Sequence, residues 1–242
     1  MTRLYVPAAL GPDRELELPP ATAHRMREVL RARVNDSLVL FDGRGGEYSA
    51  VIRRMARDGV TVHTGAHRAI SCESPLEVTL VQGISRGERM DYTLQKAVEL
   101  GVTRIIPLAS ARSQVKLDPA RAARRLEHWR GIVVHACEQS GRDRLPELTD
   151  IATLENFIAT DGASLKLTLS PGAAVALVDS VAGHRAVSLV IGPEGGLDAA
   201  EIARLETHGY RPVRLGPRVL RTETAALVAL SALQIIAGDL GR

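Results

Sequence analysis

The chain has 242 residues, 45% of them hydrophobic and 24% charged, which allows an ordinary folded core and excludes a globally disordered protein. Its two cysteines, Cys72 and Cys137, provide neither a disulfide framework nor a zinc spacing, and this suits a reducing compartment. No apolar run approaches the roughly 18 residues of a membrane span. The N-terminal residues lack a signal-peptide core, so we expect a soluble cytoplasmic protein.

The formal net charge of +3 is unevenly distributed. Residues 1–72 contain 11 Lys and Arg against 8 Asp and Glu, whereas residues 73–242 are neutral. This distribution permits a polyanionic partner without requiring one.

The first 70 residues contain three β-type runs, 37–43, 46–55 and 59–67, separated by glycine-containing turns. Such spacing predicts a small antiparallel barrel or sheet. The segment 20–36 differs, because its apolar residues recur near the helical period and predict a helix. Four arginines surround the polar surface of that helix: Arg25, Arg27, Arg31 and Arg33.

Residues 68–77 lack periodicity and read as a linker, after which strands and helices alternate. Alternation of this kind predicts a mostly parallel sheet with helices on both faces. The predicted strands are 76–82, 103–109, 164–170, 186–192 and 211–216. The predicted helices span 88–100, run from Pro119 to about Gly141, and follow Asp198 and Thr222.

The stretch LVIGPEGGLDAAE (189–201) places a glycine-rich loop between a strand and a helix. Asp198 and Glu201 form a capping box, so the helix start is well specified. The loop is neither a phosphate loop nor a dinucleotide fingerprint, and Glu194 would repel a phosphate. The loop therefore favours a ligand with neutral polar edges, such as an adenosine, and tolerates a positive one. A tight turn without any ligand is the alternative.

The stretch LGPRVLRTETAALVALSALQIIAG (215–238) ends in a helix with 11 apolar residues among the 13 positions 225–237. A helix that is apolar on all sides must be buried on all sides, either in a second subunit or within one large core. Crowded polar residues precede it and indicate a site: Arg218, Arg221, Thr222 and Glu223.

Two further polar stretches have both a structural and a functional interpretation. CEQSGRDRLPE (137–147), with Arg142, is either a solvated helix end or a loop that contacts RNA or a partner. In SRGERMDYTLQKAVELG (85–101), Arg86 and Arg89 flank a helix start that either binds an anion or carries surface charge. The seven histidines show no metal-ligand pairing, and nucleophile-elbow and HExxH motifs are absent, so we expect no metal.

Four of these stretches together resemble the RsmE family, the methyltransferases that modify N3 of one uridine in bacterial 16S ribosomal RNA. They are SRGERMDYTLQKAVELGV, CEQSGR, IGPEGGL and LGPRVLRTETAAL. The resemblance extends over nearly the whole chain, including HRMREVLR and LFDG near the N-terminus.

The resemblance implies a PUA-like RNA-binding β-barrel over residues 1–70 and a SPOUT methyltransferase domain over residues 74–242. The SPOUT domain is an α/β fold whose mostly parallel sheet ends in a C-terminal trefoil knot, an arrangement that strand counting does not predict. The family also implies a homodimer with the C-terminal helix in its interface. The implied partner is 16S rRNA within the small ribosomal subunit.

The implied cofactor is S-adenosyl-L-methionine (SAM), held in the knot. The residues expected to bind it are Leu169, Ser170, Pro171, Ile191, Gly192, Glu194, Gly195, Gly196, Leu215, Gly216, Leu220, Arg221, Thr222 and Ala225.

Methyl transfer to N3 requires the uridine to lose a proton, which assigns candidate catalytic roles to Arg221 and Glu223. Arg221 either stabilises the imide anion or orients Glu223, and the proton acceptor is either Glu223 or Glu194. Phosphate contacts are expected from a set of arginines that position RNA without reading its sequence: Arg25, Arg27, Arg31, Arg33, Arg86, Arg89 and Arg142.

Two rival functions are weighed against this one. A ribose 2′-O-methyltransferase of the same superfamily is disfavoured, because its Asn/Ser-rich stretch before the last helix is replaced here by RVLRTETAAL. A non-catalytic RNA-binding or ribosome-assembly protein is disfavoured because the glycine loop and RTET are intact.

Overall fold

The computed structural model describes residues 1–113 and 118–241, and these form two compact units. The first unit comprises Met1–Glu73 and Cys137–Leu145, and the second comprises the described residues of Ser74–Ala136 and Pro146–Arg242. The expected ranges of 1–70 and 74–242 differ from this division at residues 71–73 and 137–145, which group with the first unit. The segment containing CEQSGR belongs to the first unit and not to the second.

The first unit is built on a five-stranded sheet in the order β1-β3-β4-β5-β2. The strands are β1 (Thr2–Tyr5), β2 (Glu15–Glu17), β3 (Ser37–Phe41), β4 (Glu47–Met55) and β5 (Val60–Arg68). β1 pairs with β3 in parallel, and the other neighbours are antiparallel. The three predicted strands are confirmed, whereas β1 and β2, of 4 and 3 residues, are too short to show an alternating pattern.

The predicted helix 20–36 is wrong beyond its first half, because α1 spans only Pro20–Glu28. Arg31 and Asn35 have φ values of 49° and 73°, which a right-handed helix cannot contain. A turn replaces the helix, in which the Asp36 carboxylate accepts a hydrogen bond from the Arg33 backbone N–H at 2.7 Å. The apolar residues that produced the helical pattern are therefore largely exposed: Val29, Leu30 and Val34.

The second unit contains a seven-stranded sheet in the order β10-β12-β9-β11-β6-β7-β8, and every pair of neighbours is parallel. The predicted parallel sheet is confirmed. Its strands are β6 (Glu77–Gly83), β7 (Arg104–Leu108), β8 (Glu147–Leu148), β9 (Leu165–Leu169), β10 (Val175–Ala176), β11 (Ala186–Ile191) and β12 (Arg211–Arg214).

Five helices follow in chain order: α2 (Glu88–Glu99), α3 (Pro119–Ser140), α4 (Leu154–Thr160), α5 (Ala199–Thr207) and α6 (Thr222–Ala237), with a 3₁₀ helix at Leu177–Ser180. They cover both faces of the sheet, as the alternation of side chains along β6 shows. Val81 packs in a cluster with residues of α4 and α5. Its neighbour Gln82 faces the opposite side and contacts Thr222 of α6.

Two predicted helix starts are confirmed. Asp198 and Glu201 form a reciprocal capping box at the start of α5. The Asp118 carboxylate accepts a hydrogen bond from the Arg121 backbone N–H at 3.0 Å, ahead of the first-turn residue Pro119. Among the described residues, no helix is both long and apolar enough to cross a membrane.

The apolar helix α6 is only partly covered within one chain. It is buried along Ala226, Ala229, Leu230 and Leu233, but Val228 and Ile235 are 41% and 62% exposed. Burial on all sides, expected from the sequence, is therefore not achieved inside the single chain.

Candidate functional site

A cavity of about 540 Å³ lies where β9, β11 and β12 end, and we call it the glycine-loop pocket. The carboxyl ends of parallel strands meet at one edge of a sheet, where α/β proteins commonly bind ligands. The volume falls within the roughly 300–1,000 Å³ of small-molecule sites. Its walls include 13 of the 14 residues expected to bind the cofactor: Leu169, Ser170, Pro171, Ile191, Gly192, Glu194, Gly196, Leu215, Gly216, Leu220, Arg221, Thr222 and Ala225.

Gly195 is the expected residue that does not line the pocket. Its carbonyl accepts a hydrogen bond from the Arg112 guanidinium at 3.0 Å. A Cβ at this position would lie 3.3 Å from the Cβ of Arg112. Gly195 thus joins the glycine loop to the segment after β7.

The glycine loop is packed too tightly for side chains at its start. A Cβ at Gly192 would lie 2.7 Å from the backbone nitrogen of Leu197 and 2.8 Å from the carbonyl carbon of Gly196. A Cβ at Gly83, the last residue of β6, would lie 2.4 Å from the backbone nitrogen of Pro193. The tight turn and the pocket wall, which the sequence offered as alternatives, are therefore the same structure.

Glu194 is held at the start of α2 and is ionised. Its carboxylate accepts hydrogen bonds from the Arg86 backbone N–H at 3.0 Å and from the Arg89 guanidinium at 2.9 Å. Burial alone would raise the pKa of Glu194, but the hydrogen bonds from the backbone and from Arg89 outweigh it and lower that pKa. A carboxylate with such partners is a poor proton acceptor at neutral pH.

Arg89 lines the pocket, although the sequence assigned it to RNA. Besides Glu194, its guanidinium approaches Glu223, with 3.9 Å between Arg89 Nε and Glu223 Oε1. The side chain of Glu223 is only 14% exposed, and its Oε2 is buried without a hydrogen-bond partner among the described residues. Glu223 is not among the residues found to line the described pocket, so Arg89 connects it to the site.

Arg221 is exposed at the N-terminus of α6 and lines the pocket. In residues 1–113 and 118–241, no hydrogen bond or ion pair of its side chain is found. Its guanidinium is therefore available to an incoming group, unlike that of Arg89.

Thr222 does not cap α6 as the sequence predicted. The N-cap residue is Arg221, and Thr222 is the first residue inside the helix. Its hydroxyl donates a hydrogen bond to the Gly192 carbonyl at 2.7 Å and accepts one from Gln82 Nε2 at 2.9 Å. Gln82 is not among the predicted site residues, although it is a polar residue at the end of the apolar strand LEVTLVQ.

In the first unit, the four arginines around α1 divide into two kinds. Arg25 and Arg27 are half-buried, with Arg25 paired to Glu138 at 2.7 Å and Arg27 donating to the Ala56 carbonyl at 2.8 Å. Arg31 and Arg33 are exposed in the turn that follows α1. Arg86, in the second unit, is also exposed. The exposed arginines are the better placed for phosphate contacts.

Arg142 is not at a free surface, which disagrees with its expected role in contacting RNA. It is 4% exposed, and its guanidinium forms an ion pair with Glu73, with 3.1 Å between Nε and Oε1. This buried, paired side chain fits neither interpretation given above, because it is neither solvated nor free to contact RNA.

One group of described residues could offer three ligands to a metal ion: Cys72, Glu73 and Asp143, whose ligand atoms lie within 4.8 Å of one another. Glu73 is already paired with Arg142, and Asp143 accepts a hydrogen bond from the Gly46 backbone N–H. We assign no metal to this group.

Comparison with known families identifies the class of protein. Residues 72–234 match the model of an RNA methyltransferase domain, and residues 22–64 match that of an RNA methyltransferase PUA domain. Fold and site thus define an RNA methyltransferase that carries an N-terminal PUA domain.

Individual relatives are similar over almost the whole chain. Ribosomal RNA small subunit methyltransferase E of Buchnera aphidicola (from Schizaphis graminum) is 32% identical over 98% of this chain and 97% of its own. The Bacillus subtilis protein of that name is 32% identical over 89% of this chain and 90% of its own. The chain belongs to the ribosomal RNA small subunit methyltransferase E family, as the four motifs predicted.

Solved structures agree with this assignment. Ribosomal RNA small subunit methyltransferase E of Neisseria gonorrhoeae, bound to S-adenosyl methionine, has a TM-score of 0.92 at 39% identity and covers 99% of both chains. A Legionella pneumophila protein in complex with the cofactor SAM has a TM-score of 0.96 at 42% identity, again over 99% of both chains. The predicted α/β fold with its PUA-like domain is confirmed, and the trefoil knot stays a prediction.

Proposed function

We propose that this chain is a SAM-dependent methyltransferase that methylates N3 of one uridine in the 16S rRNA of the small ribosomal subunit. The observation that carries this proposal is the glycine-loop pocket. It unites 13 of the 14 residues that the family motifs assign to the cofactor, at one edge of the parallel sheet.

The pocket suits the chemistry of SAM. Its glycines carry no side chains, so a ligand such as an adenosine can approach the backbone of the loop closely. Ile191, Leu215 and Leu220 supply apolar walls. Charges of both signs line the pocket, namely Glu194 with Arg89, Arg214, Arg218 and Arg221. SAM likewise carries charges of both signs, a carboxylate and a sulfonium. SAM supplies an electrophilic methyl group when bound.

The residues of the chain would prepare the uridine for that methyl group. The N3–H bond breaks and its proton passes to a carboxylate, while the N3–CH₃ bond forms and the S–CH₃ bond breaks. Arg221, whose guanidinium has no partner within the described residues, would stabilise the imide anion. Glu223 is the better proton acceptor, because Glu194 is already engaged by Arg86 and Arg89.

We also propose that RNA contacts come from exposed arginines, foremost Arg31 and Arg33 of the first unit and Arg86 of the second. Such contacts hold phosphates and thereby position the target, which must leave its stack to be reached. We propose a cytoplasmic location, because ribosomal RNA is the proposed substrate.

A homodimer is the third element of the proposal. The exposed Val228 and Ile235 lie on α6, the helix expected in the dimer interface. Helix α2 packs against α6, and its Tyr92 is 48% exposed. Covering these side chains with a second copy would remove apolar surface from water.

The test is methyl transfer from labelled SAM to unmodified small ribosomal subunits, with free 16S rRNA in parallel. We expect label in the RNA, and the ratio between the two reactions identifies the true substrate. A protein that binds SAM but labels neither RNA would contradict the substrate assignment, and one that binds no SAM would contradict the whole proposal.

A further inference from the structure

We infer that Gln82 is a positioning residue for the cofactor site, although it lines no part of the described pocket. This inference rests on the proposed function, because the property that Gln82 would affect is the affinity for SAM. The inference starts from a chain of hydrogen bonds that runs from Gln82 through Thr222 to Gly192.

Gln82 is completely buried, at 0% exposure, near the end of β6. Its Nε2 donates to the Thr222 hydroxyl oxygen at 2.9 Å and to the Gly83 carbonyl at 3.1 Å. The Thr222 hydroxyl in turn donates to the Gly192 carbonyl at 2.7 Å. A Thr hydroxyl has one hydrogen to donate, so the direction of this chain is fixed.

The chain of hydrogen bonds joins two walls of the glycine-loop pocket. Gly192 opens the glycine loop, and Thr222 ends the segment that begins at Leu215 and forms the opposite wall. The end of β6 packs directly against the same loop, because a Cβ at Gly83 would lie 2.4 Å from the backbone nitrogen of Pro193. Gln82 therefore stands where strand, loop and helix start converge.

Burying a glutamine next to the buried aliphatic residues Leu80 and Val81 of the same strand is unfavourable unless its polar atoms are used. Gln82 Oε1 has no hydrogen-bond partner among the described residues, so only the Nε2 group of the amide forms hydrogen bonds there. An apolar residue of similar volume would serve the core as well as glutamine does. What only glutamine provides is a hydrogen bond that fixes the position of the Thr222 hydroxyl. That hydroxyl in turn sets the spacing of the two pocket walls.

The chain provides a matched control in Gln234. This residue is also a glutamine at 0% exposure. Its Oε1 accepts a hydrogen bond from the Ser74 hydroxyl at 2.6 Å, and its Nε2 donates one to the Gly101 carbonyl at 3.3 Å. It lies on α6 twelve residues beyond Thr222 and is outside the described pocket lining. A purely structural role for buried glutamines would make the two positions equivalent.

The experiment compares Gln82→Met with Gln234→Met by calorimetric binding of SAM, steady-state kinetics and thermal unfolding. We expect Gln82→Met to weaken SAM binding about tenfold, the effect of one lost buried hydrogen bond, and to raise the KM for SAM equally while kcat at saturation changes little. Gln234→Met should lower the unfolding temperature without changing the affinity for SAM. Equal affinities in the two variants would overturn the inference.

A second set of variants tests the connection itself and covers the case that Gln82→Met does not fold. Thr222→Ser keeps the hydroxyl and should bind SAM nearly as well as the wild type, whereas Thr222→Val should lose affinity. Adding Gln82→Met to Thr222→Val should then cost no further affinity, because the residue through which Gln82 acts is gone. The inference would be contradicted if the losses of SAM affinity in the two single variants were fully additive in the double variant. It would also be contradicted if Thr222→Val bound SAM with wild-type affinity. If the wild type bound no SAM, the proposed function would fail first, so the two failures are distinguishable.

Discussion

Arg89 and Glu194 form an ion pair, with 2.9 Å between Arg89 Nη1 and Glu194 Oε1, that joins the first turn of α2 to the middle of the glycine loop. The same guanidinium lies 3.9 Å from the carboxylate of Glu223, on α6. One arginine therefore connects two acids that the sequence offered as alternative proton acceptors. The two acids are not equivalent in this arrangement, because only Glu194 is satisfied by direct hydrogen bonds.

Glu194 is expected to tether the loop and not to accept the proton. Glu194→Gln should weaken SAM binding by about three- to tenfold, because one charge-assisted hydrogen bond becomes neutral. It should leave the dependence of kcat on pH unchanged near neutrality. Glu223→Gln should instead abolish the limb of that profile that reports the proton acceptor. A profile altered by Glu194→Gln alone would reverse the assignment.

The pKa of Glu194 also predicts how SAM affinity depends on pH. Its value in the folded protein lies below the ordinary 4.5, so the carboxylate is ionised at pH 7. The tether is thus present above the ordinary pKa and is lost as the pH falls through the lowered one. Calorimetric titrations of SAM in buffers taken below pH 4.5 should show a decline in the wild type that is absent from Glu194→Gln.

Arg221→Ala should reduce kcat by about a hundredfold or more, as expected when a positioned cation no longer stabilises a developing anion. RNA affinity, measured by filter binding, should remain close to that of the wild type. Arg33→Ala is the matched control, since it removes an exposed arginine of the first unit and should weaken RNA binding instead. RNA affinity that fell in step with turnover in Arg221→Ala would show that Arg221 binds RNA.

Gly192→Ala should abolish SAM binding, because the new Cβ would lie 2.7 Å from the backbone nitrogen of Leu197 and would displace the glycine loop. Gly162→Ala introduces the same methyl group at a position with no atom within 4 Å. It should bind SAM like the wild type in calorimetry. Retention of full affinity by Gly192→Ala would mean that the loop does not shape the site.

Ile235→Glu should prevent the proposed homodimer from forming, because it places a charge on the exposed apolar side of α6. Ile70→Glu changes a side chain of comparable exposure, 47% against 62%, in the segment between β5 and β6. Size-exclusion chromatography with light scattering should give a monomer mass for the first variant and a dimer mass for the second. A wild type that is monomeric at all concentrations would contradict the proposed dimer.

The sequence predicted the parallel sheet and most of the pocket because both depend on local signals. Apolar strands alternate with capped helices, and the glycines occur where the backbone must approach itself closely. The capping box of Asp198 and Glu201 is of this kind, since two residues three positions apart determine it.

Two predictions failed where contacts distant in sequence decide the outcome. The apolar spacing of Val29, Leu30 and Val34 indicated a helix, yet Arg31 and Asn35 have positive φ values, and the Asn35 backbone N–H donates to the Ile52 carbonyl at 2.8 Å. Thr222 has the composition of a helix cap, but its hydroxyl is used by Gly192, which is 30 residues away in the chain. Gln82 was missed for the same reason, because its partner is 140 residues away.

The central claim is tested most directly by digesting small-subunit RNA to nucleosides after incubation with this protein and labelled SAM. The account predicts that the label elutes with 3-methyluridine and that Gly192→Ala yields none. Label in a 2′-O-methylated nucleoside, with none in 3-methyluridine, would contradict it and assign the protein to the rival chemistry.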